Sequence, residues 1–144
     1  MPGNLLERRV SLDTTAHPHD TDGGAPAHAR RMTLDFLADA APATVWPRQY
    51  AVMADAALLV VSELVTNAVR HAPGPCVLSL AVREGCIDIE VSDSSSLAPR
   101  FREPDLTAGS GGWGWRLVHM LCSEVHVMPE GPCGGKTVHA RVRR

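Results

Sequence analysis

Much is missing from this 144-residue chain, and each absence removes a class of function. No apolar run of the roughly 20 residues needed to cross a bilayer is read along it. Met1-Pro2-Gly3-Asn4 does not open like a secretory leader. Its net charge of −2 offers no electrostatic attraction to nucleic acid. The arginine clusters, Arg30-Arg31 and Arg141, Arg143, Arg144, are short and read as solvated ends. Cys76, Cys86, Cys122 and Cys133 form no C-x-x-C pair and have no histidine at zinc-finger spacing, so they read as reduced, partly buried thiols. The histidines do not cluster beyond His17 and His19, which argues against a metal cage. The resulting expectation is a cytoplasmic protein that touches neither nucleic acid nor membrane.

What is present divides into an N-terminal strand with a flexible segment, residues 1–25, and one domain, residues 26–144. Val10, Leu12 and Thr14 alternate with polar neighbours as a short edge strand does. A helix is expected from about Pro26 to Ala40, burying Met32, Phe36 and Leu37, and a second from about Arg48 to Ala72, where Pro73-Gly74-Pro75 stops it. Cys76 to Arg83 and Cys86 to Asp93 alternate as the two arms of a hairpin around Glu84-Gly85. Ser94 to Ser110 reads as a long loop, a length that usually signals a functional lid or disorder. A short helix from Trp115 and two strands, Glu124 to Met128 and Thr137 to Val142, complete the chain. This order suggests an α+β fold, a mostly antiparallel sheet covered by helices on one face.

The second helix holds the most informative stretch, Leu58 to Ala72. Its apolar residues fall at 60, 61, 64, 65, 68 and 69, its polar ones at 62, 63, 66, 67, 70 and 71. Glu63, Asn67 and His71 are spaced by four and stack on one face. A solvated stripe is usually filled with strong helix formers, whereas this one uses Ser, Thr, Asn and His. It is either a solvated face or a face turned to a ligand. Two further segments are ambiguous in the same way. Gly111, Gly112 and Gly114 before Trp115 either present backbone N–H groups to phosphate at a helix start or merely form a loop that needs glycine. Asp93 either ends its strand as an ordinary turn residue or holds a carboxylate at a pocket mouth.

Taken in order, Ser-Glu-Leu-Val-Thr-Asn-Ala-Val-Arg-His-Ala (62–72), Asp93, the lid, the glycines and Gly134-Gly135-Lys136-Thr137-Val138 resemble the GHKL (Bergerat-fold) ATPase superfamily. DNA gyrase, histidine kinases and mismatch-repair ATPases share it. The helix motif looks most like the small stand-alone anti-sigma-factor serine/threonine kinases of high-GC bacteria, and the resemblance spans about residues 26–143. It implies a two-layer α/β sandwich that holds ATP between helices and sheet. It further implies Asn67 as the Mg²⁺ ligand, Glu63 as general base, Asp93 as acceptor for the adenine amine with Thr137 in support, and Gly111, Gly112 and Gly114 under the phosphates. Arg70 and His71 would touch phosphate or lid, and Lys136 would be a surface charge. Ser95 stands where the family usually has glycine, and its Cβ narrows the approach to a base. Trp113 and Trp115 add bulk near the glycines.

The resemblance implies a kinase whose substrate is an anti-anti-sigma-like protein, with a sigma factor as second client and a homodimer left open. The rival reading is a non-catalytic interaction module of the same fold. The catalytic half of a split histidine kinase ranks last, because no long dimerising helix pair with a phospho-acceptor histidine is evident.

Overall fold

Cys76–Arg83 (β2) and Cys86–Asp93 (β3) form the hairpin that their alternation demands. Leu78, Leu80 and Val82 stand opposite Val91, Ile89 and Ile87, so one face of the hairpin is a block of buried cross-strand apolar pairs. Leu6–Leu12 (β1) pairs with β2 at one edge, Lys136–Arg143 (β5) pairs with β3, and Glu124–Pro129 (β4) pairs with β5. The sheet order is β1-β2-β3-β5-β4 and every pairing is antiparallel. The computed structural model describes residues 6–13, 24–43, 47–72, 74–97, 114–129 and 131–144.

Gly24–Ala40 (α1), a short 3-10 turn at Ala41–Ala43, Pro47–His71 (α2) and Gly114–Leu121 (α3) supply the helical layer. α2 packs on β2, β3 and β5, with α1 and α3 both against it. This is the α+β arrangement expected from the element order. Both long helices carry a proline in the first turn, where its missing N–H would have had no partner.

Val60, Val61, Leu64, Val65 and Ala68 of α2 are buried, and each large apolar side chain removed from water contributes about 1.5–3 kcal/mol. Two expectations need correcting. Val69 is 37% exposed because it lies at the margin of the stripe, and Met32 of α1 is only half-buried. A third correction concerns length: α2, with 25 residues, is long and apolar enough to cross a membrane. In this fold its apolar stripe is instead covered by the sheet and α1. The Tyr50 hydroxyl donates to the Leu37 carbonyl (2.5 Å) and ties α2 to α1; burial pushes that phenol up to about 12.

All four cysteines are free thiols, Cys76 and Cys86 buried, Cys122 and Cys133 half-buried. Burial pushes Cys76 and Cys122 up to about 11, so they act as inert packing.

Candidate nucleotide site

The polar stripe of α2 does not face open water along its length. Ser62, Glu63, Thr66 and Asn67 are half-buried, whereas Arg70 and His71, in the last turn, are exposed. Within the half-buried part, Glu63 lies against the start of α3. A Cβ on Gly114, the first residue of α3, would run into Glu63 Oε2 and stand 2.9 Å from Glu63 Cδ. Glycine at 114 is what lets the Glu63 carboxylate lie against the helix start. A carboxylate beside a helix N-terminus is also electrostatically favoured. Asn67, one turn along α2 from Glu63, lies half-buried on the same face. Arg70 and His71 instead complement the negative end of α2.

Gly111, Gly112, Trp113 and all of the Ser94–Ser110 loop beyond Leu97 lie outside the described residues. Trp115, expected to add bulk near the phosphates, is buried in the core and meets the His119 ring edge-on at 4.6 Å. Its indole therefore belongs to the packing of α3.

Asp93 occupies the last position of β3 and is 4% exposed. Strand alternation turns it to the helix side with Ile87, Ile89 and Val91. Its partner in register on β5 is Lys136, which the same alternation turns inward with Val138, Ala140 and Val142. Lys136 Nζ lies 3.0 and 2.9 Å from the two Asp93 carboxylate oxygens and 3.2 Å from the Ser95 carbonyl. The Ser95 N–H donates to Asp93 Oδ1 at 2.9 Å.

The expectation of a surface lysine is thus corrected: Lys136, the chain's one lysine, is 5% exposed. A buried carboxylate requires a countercharge or strong hydrogen bonds, and this lysine supplies both. Thr137, expected to support Asp93, faces the opposite side of the sheet, with its hydroxyl 2.7 Å from that of Ser92. Period-two alternation makes it impossible for Lys136 and Thr137 to serve the same face. Close backbone approach at the base end is provided by Gly135, where a Cβ would lie 2.6 Å from the Asp93 carbonyl oxygen and 2.5 Å from Ser95 N.

A second cluster, which the sequence reading missed, lies on the sheet face away from the helices. Asp88, 7% exposed, accepts from Arg141 Nε (2.6 Å) and Nη2 (3.2 Å) and lies 3.2 Å from Arg83 and 3.3 Å from His139. These residues line a broad depression of about 610 Å³, together with Glu7, Arg9 and Glu90. Counting by two from Ile87 and Ile89 would have placed Asp88 on that face, but not its partners, because β5 is distant in sequence. Among the described residues no group of three His, Cys, Asp or Glu side chains is placed to hold a metal ion.

Glu63 seated on a helix start, Asn67 one turn away and an inward aspartate at the end of β3 all lie on the helix side of the sheet. Residues 25–141 match the family model of the histidine kinase-like ATPase domain. The chain belongs to that family. Comparison with curated proteins finds no significant match. Membership implies that ATP is the ligand, and the α2–α3 end of the site fits a phosphate-and-metal role. It offers an acid, an amide oxygen and a helix start at Gly114 that lies against the acid. The base end fits less simply, because the Asp93 carboxylate already holds an ammonium.

Proposed function

We propose that this histidine kinase-like ATPase domain is an ATP- and Mg²⁺-dependent serine/threonine kinase of the anti-sigma-factor type, working on a protein partner in transcription regulation. The carrying observation is the position of Glu63, half-buried and fixed against the first residue of α3. In this reading Glu63 accepts the proton of the partner's serine hydroxyl. The serine oxygen forms its bond to the γ-phosphorus as the bond to the β-phosphate oxygen breaks and ADP leaves. Phosphoryl transfer is chiefly positioning and charge stabilisation, so a base, an oxygen ligand and a phosphate cradle suffice.

Asn67 offers its amide oxygen to the ion, which suits the preference of Mg²⁺ for oxygen donors. Bound Mg²⁺ would neutralise charge on the phosphates. Arg70 and His71 are exposed at the end of α2, and in this reading they would touch phosphate or lid. The partner would be an anti-anti-sigma-like protein, with a sigma factor as second client, and the setting cytoplasmic.

The test is transfer of labelled phosphate from ATP to a matched partner, with and without Mg²⁺. Label on a partner serine, lost in Glu63→Gln, supports the kinase; wild type and variant behaving alike removes it.

One observation favours a second reading. The buried Asp93–Lys136 pair satisfies the acid without a base, as a module that binds partners and not nucleotide would require. Titration calorimetry separates the two: no heat at near-millimolar ATP with Mg²⁺ selects the module.

A further inference from the structure

The two ends of the site differ in one respect. Among the described residues no salt bridge is made by Glu63, whereas at the sheet end the acid is already neutralised from within the chain. Asp93 Oδ1 accepts from Lys136 Nζ and from the Ser95 N–H, and Oδ2 accepts from Lys136 Nζ. The ammonium has three protons to donate, and three acceptors stand within reach: both carboxylate oxygens and the Ser95 carbonyl. An exocyclic amine arriving at this carboxylate finds three of about four acceptor sites already used, two of them by a charged donor.

We propose that Lys136 is an internal competitor for the nucleobase position at Asp93 and sets the affinity of this site for adenine nucleotides. The inference rests on the reading of this region as an ATP site. Adenine binding displaces the ammonium from at least one carboxylate oxygen and exchanges a bond with charge on both partners for one in which only the carboxylate is charged. Adenine's neutral amine cannot replace the attraction between two buried opposite charges, so the exchange is unfavourable and the site is held weak. The sign is unusual. Removing a cation from a site for a polyanion ordinarily weakens binding, but here it strengthens binding, because the phosphates lie at the other end of the site.

The geometry also gives a base dependence. Guanine carries an oxygen where adenine carries its amine, so it does not compete for the carboxylate in the same way, and loss of Lys136 helps it little.

The experiment is calorimetric titration of the full chain with Mg²⁺·ATP and Mg²⁺·GTP, using wild type, Lys136→Met and Lys136→Arg. Lys136→Met should bind ATP about ten- to a hundredfold tighter than wild type, the span of one hydrogen bond to a charged group. Lys136→Arg should stay within about threefold of wild type, and GTP should gain less than about threefold in either variant. A second measurement needs no variant. With one lysine in the chain, ¹⁵N-lysine labelling gives a single side-chain ammonium resonance, which should shift as Mg²⁺·ATP saturates the wild-type protein.

ATP binding with an unmoved lysine signal overturns the competition and leaves the ATP site standing, as does equal affinity in wild type and a folded Lys136→Met. Equal gains for ATP and GTP overturn it as well, since the base would then be irrelevant. Failure of ATP to bind any of the three proteins overturns both the competition and the ATP reading.

Discussion

Gly114 and Glu63 are packed so that a methyl group at 114 displaces the carboxylate: a Cβ there would be 2.9 Å from Glu63 Cδ and would run into Oε2. The start of α3 and the proposed base therefore fix one another. Gly114→Ala should push Glu63 out of place or lift α3 away. Overpacking of this kind costs about 1–3 kcal/mol, and losing a general base costs about 10²–10⁴ in rate. Transfer to the partner should fall nearly as far as in Glu63→Gln, with a lowered Tm that Glu63→Gln does not share. Wild-type turnover in Gly114→Ala would show that this contact does not position the base.

Asn67 sits one turn from Glu63 and is half-buried, so its replacement can be read without large disruption of the core. Asn67→Leu should abolish the Mg²⁺-dependent part of ATP affinity while changing stability by no more than about 1 kcal/mol. Asn67→Asp, which keeps an oxygen, should retain metal dependence. Titrations with and without Mg²⁺ decide it; an Asn67→Leu protein with full metal dependence rules out this ligand.

The helix carrying Glu63 and Asn67 was legible in the sequence because its polar stripe violates helix propensity, and the hairpin because its alternation is unbroken over both arms. Lys136 was misread although the rule that places it is the simplest one available. Val138 points inward, so Lys136 does too. What concealed it was pairing: β5 joins β3 only after α3 and β4 have intervened, so nothing local shows that Lys136 stands opposite Asp93. Asp88 escaped notice for the same reason, since its arginine and histidine partners on β5 come from the same long-range register. Local periodicity gave the elements and their faces, while cross-sheet charge pairing needed the topology.

Asp88 should make the fold acid-sensitive. Burial by itself would raise its carboxyl, but the Arg141 hydrogen bonds, the Arg141 charge and His139 outweigh it and hold the group below its ordinary value. A carboxyl depressed in the folded state adds stability above the unfolded value of about 3.9. That contribution is lost as pH falls through the lower folded value. Tm measured between about pH 6 and pH 2 should therefore drop less steeply in Asp88→Asn than in wild type. At neutral pH the variant should be weaker by about 1–3 kcal/mol, because Arg141 loses a charged acceptor. Parallel Tm curves for the two proteins would assign the acid sensitivity elsewhere.

Gly135 gives the sharpest test of how the sheet holds the base end together. It precedes Lys136, and a Cβ there would meet backbone on both sides of the β3 end, 2.6 Å from the Asp93 carbonyl oxygen and 2.5 Å from Ser95 N. Backbone cannot rotate away as a side-chain tip can, so Gly135→Ala must move the start of β5 from the end of β3. The Lys136–Asp93 pair, which spans that same gap, should lengthen or break. Separating a buried pair without removing either charge leaves both poorly solvated, a penalty of about 3–5 kcal/mol when one partner is lost outright. Gly135→Ala should therefore destabilise the fold by a few kcal/mol, about as much as breaking the pair. Ser95→Gly removes a Cβ that takes no part in this contact and a hydroxyl that accepts from the exposed Leu97 N–H at 3.2 Å, so it should change stability by only about 1 kcal/mol. Chemical denaturation of both variants checks this. A Gly135→Ala protein as stable as wild type would mean that β5 enters the sheet with room to spare, contrary to the close approach at Asp93.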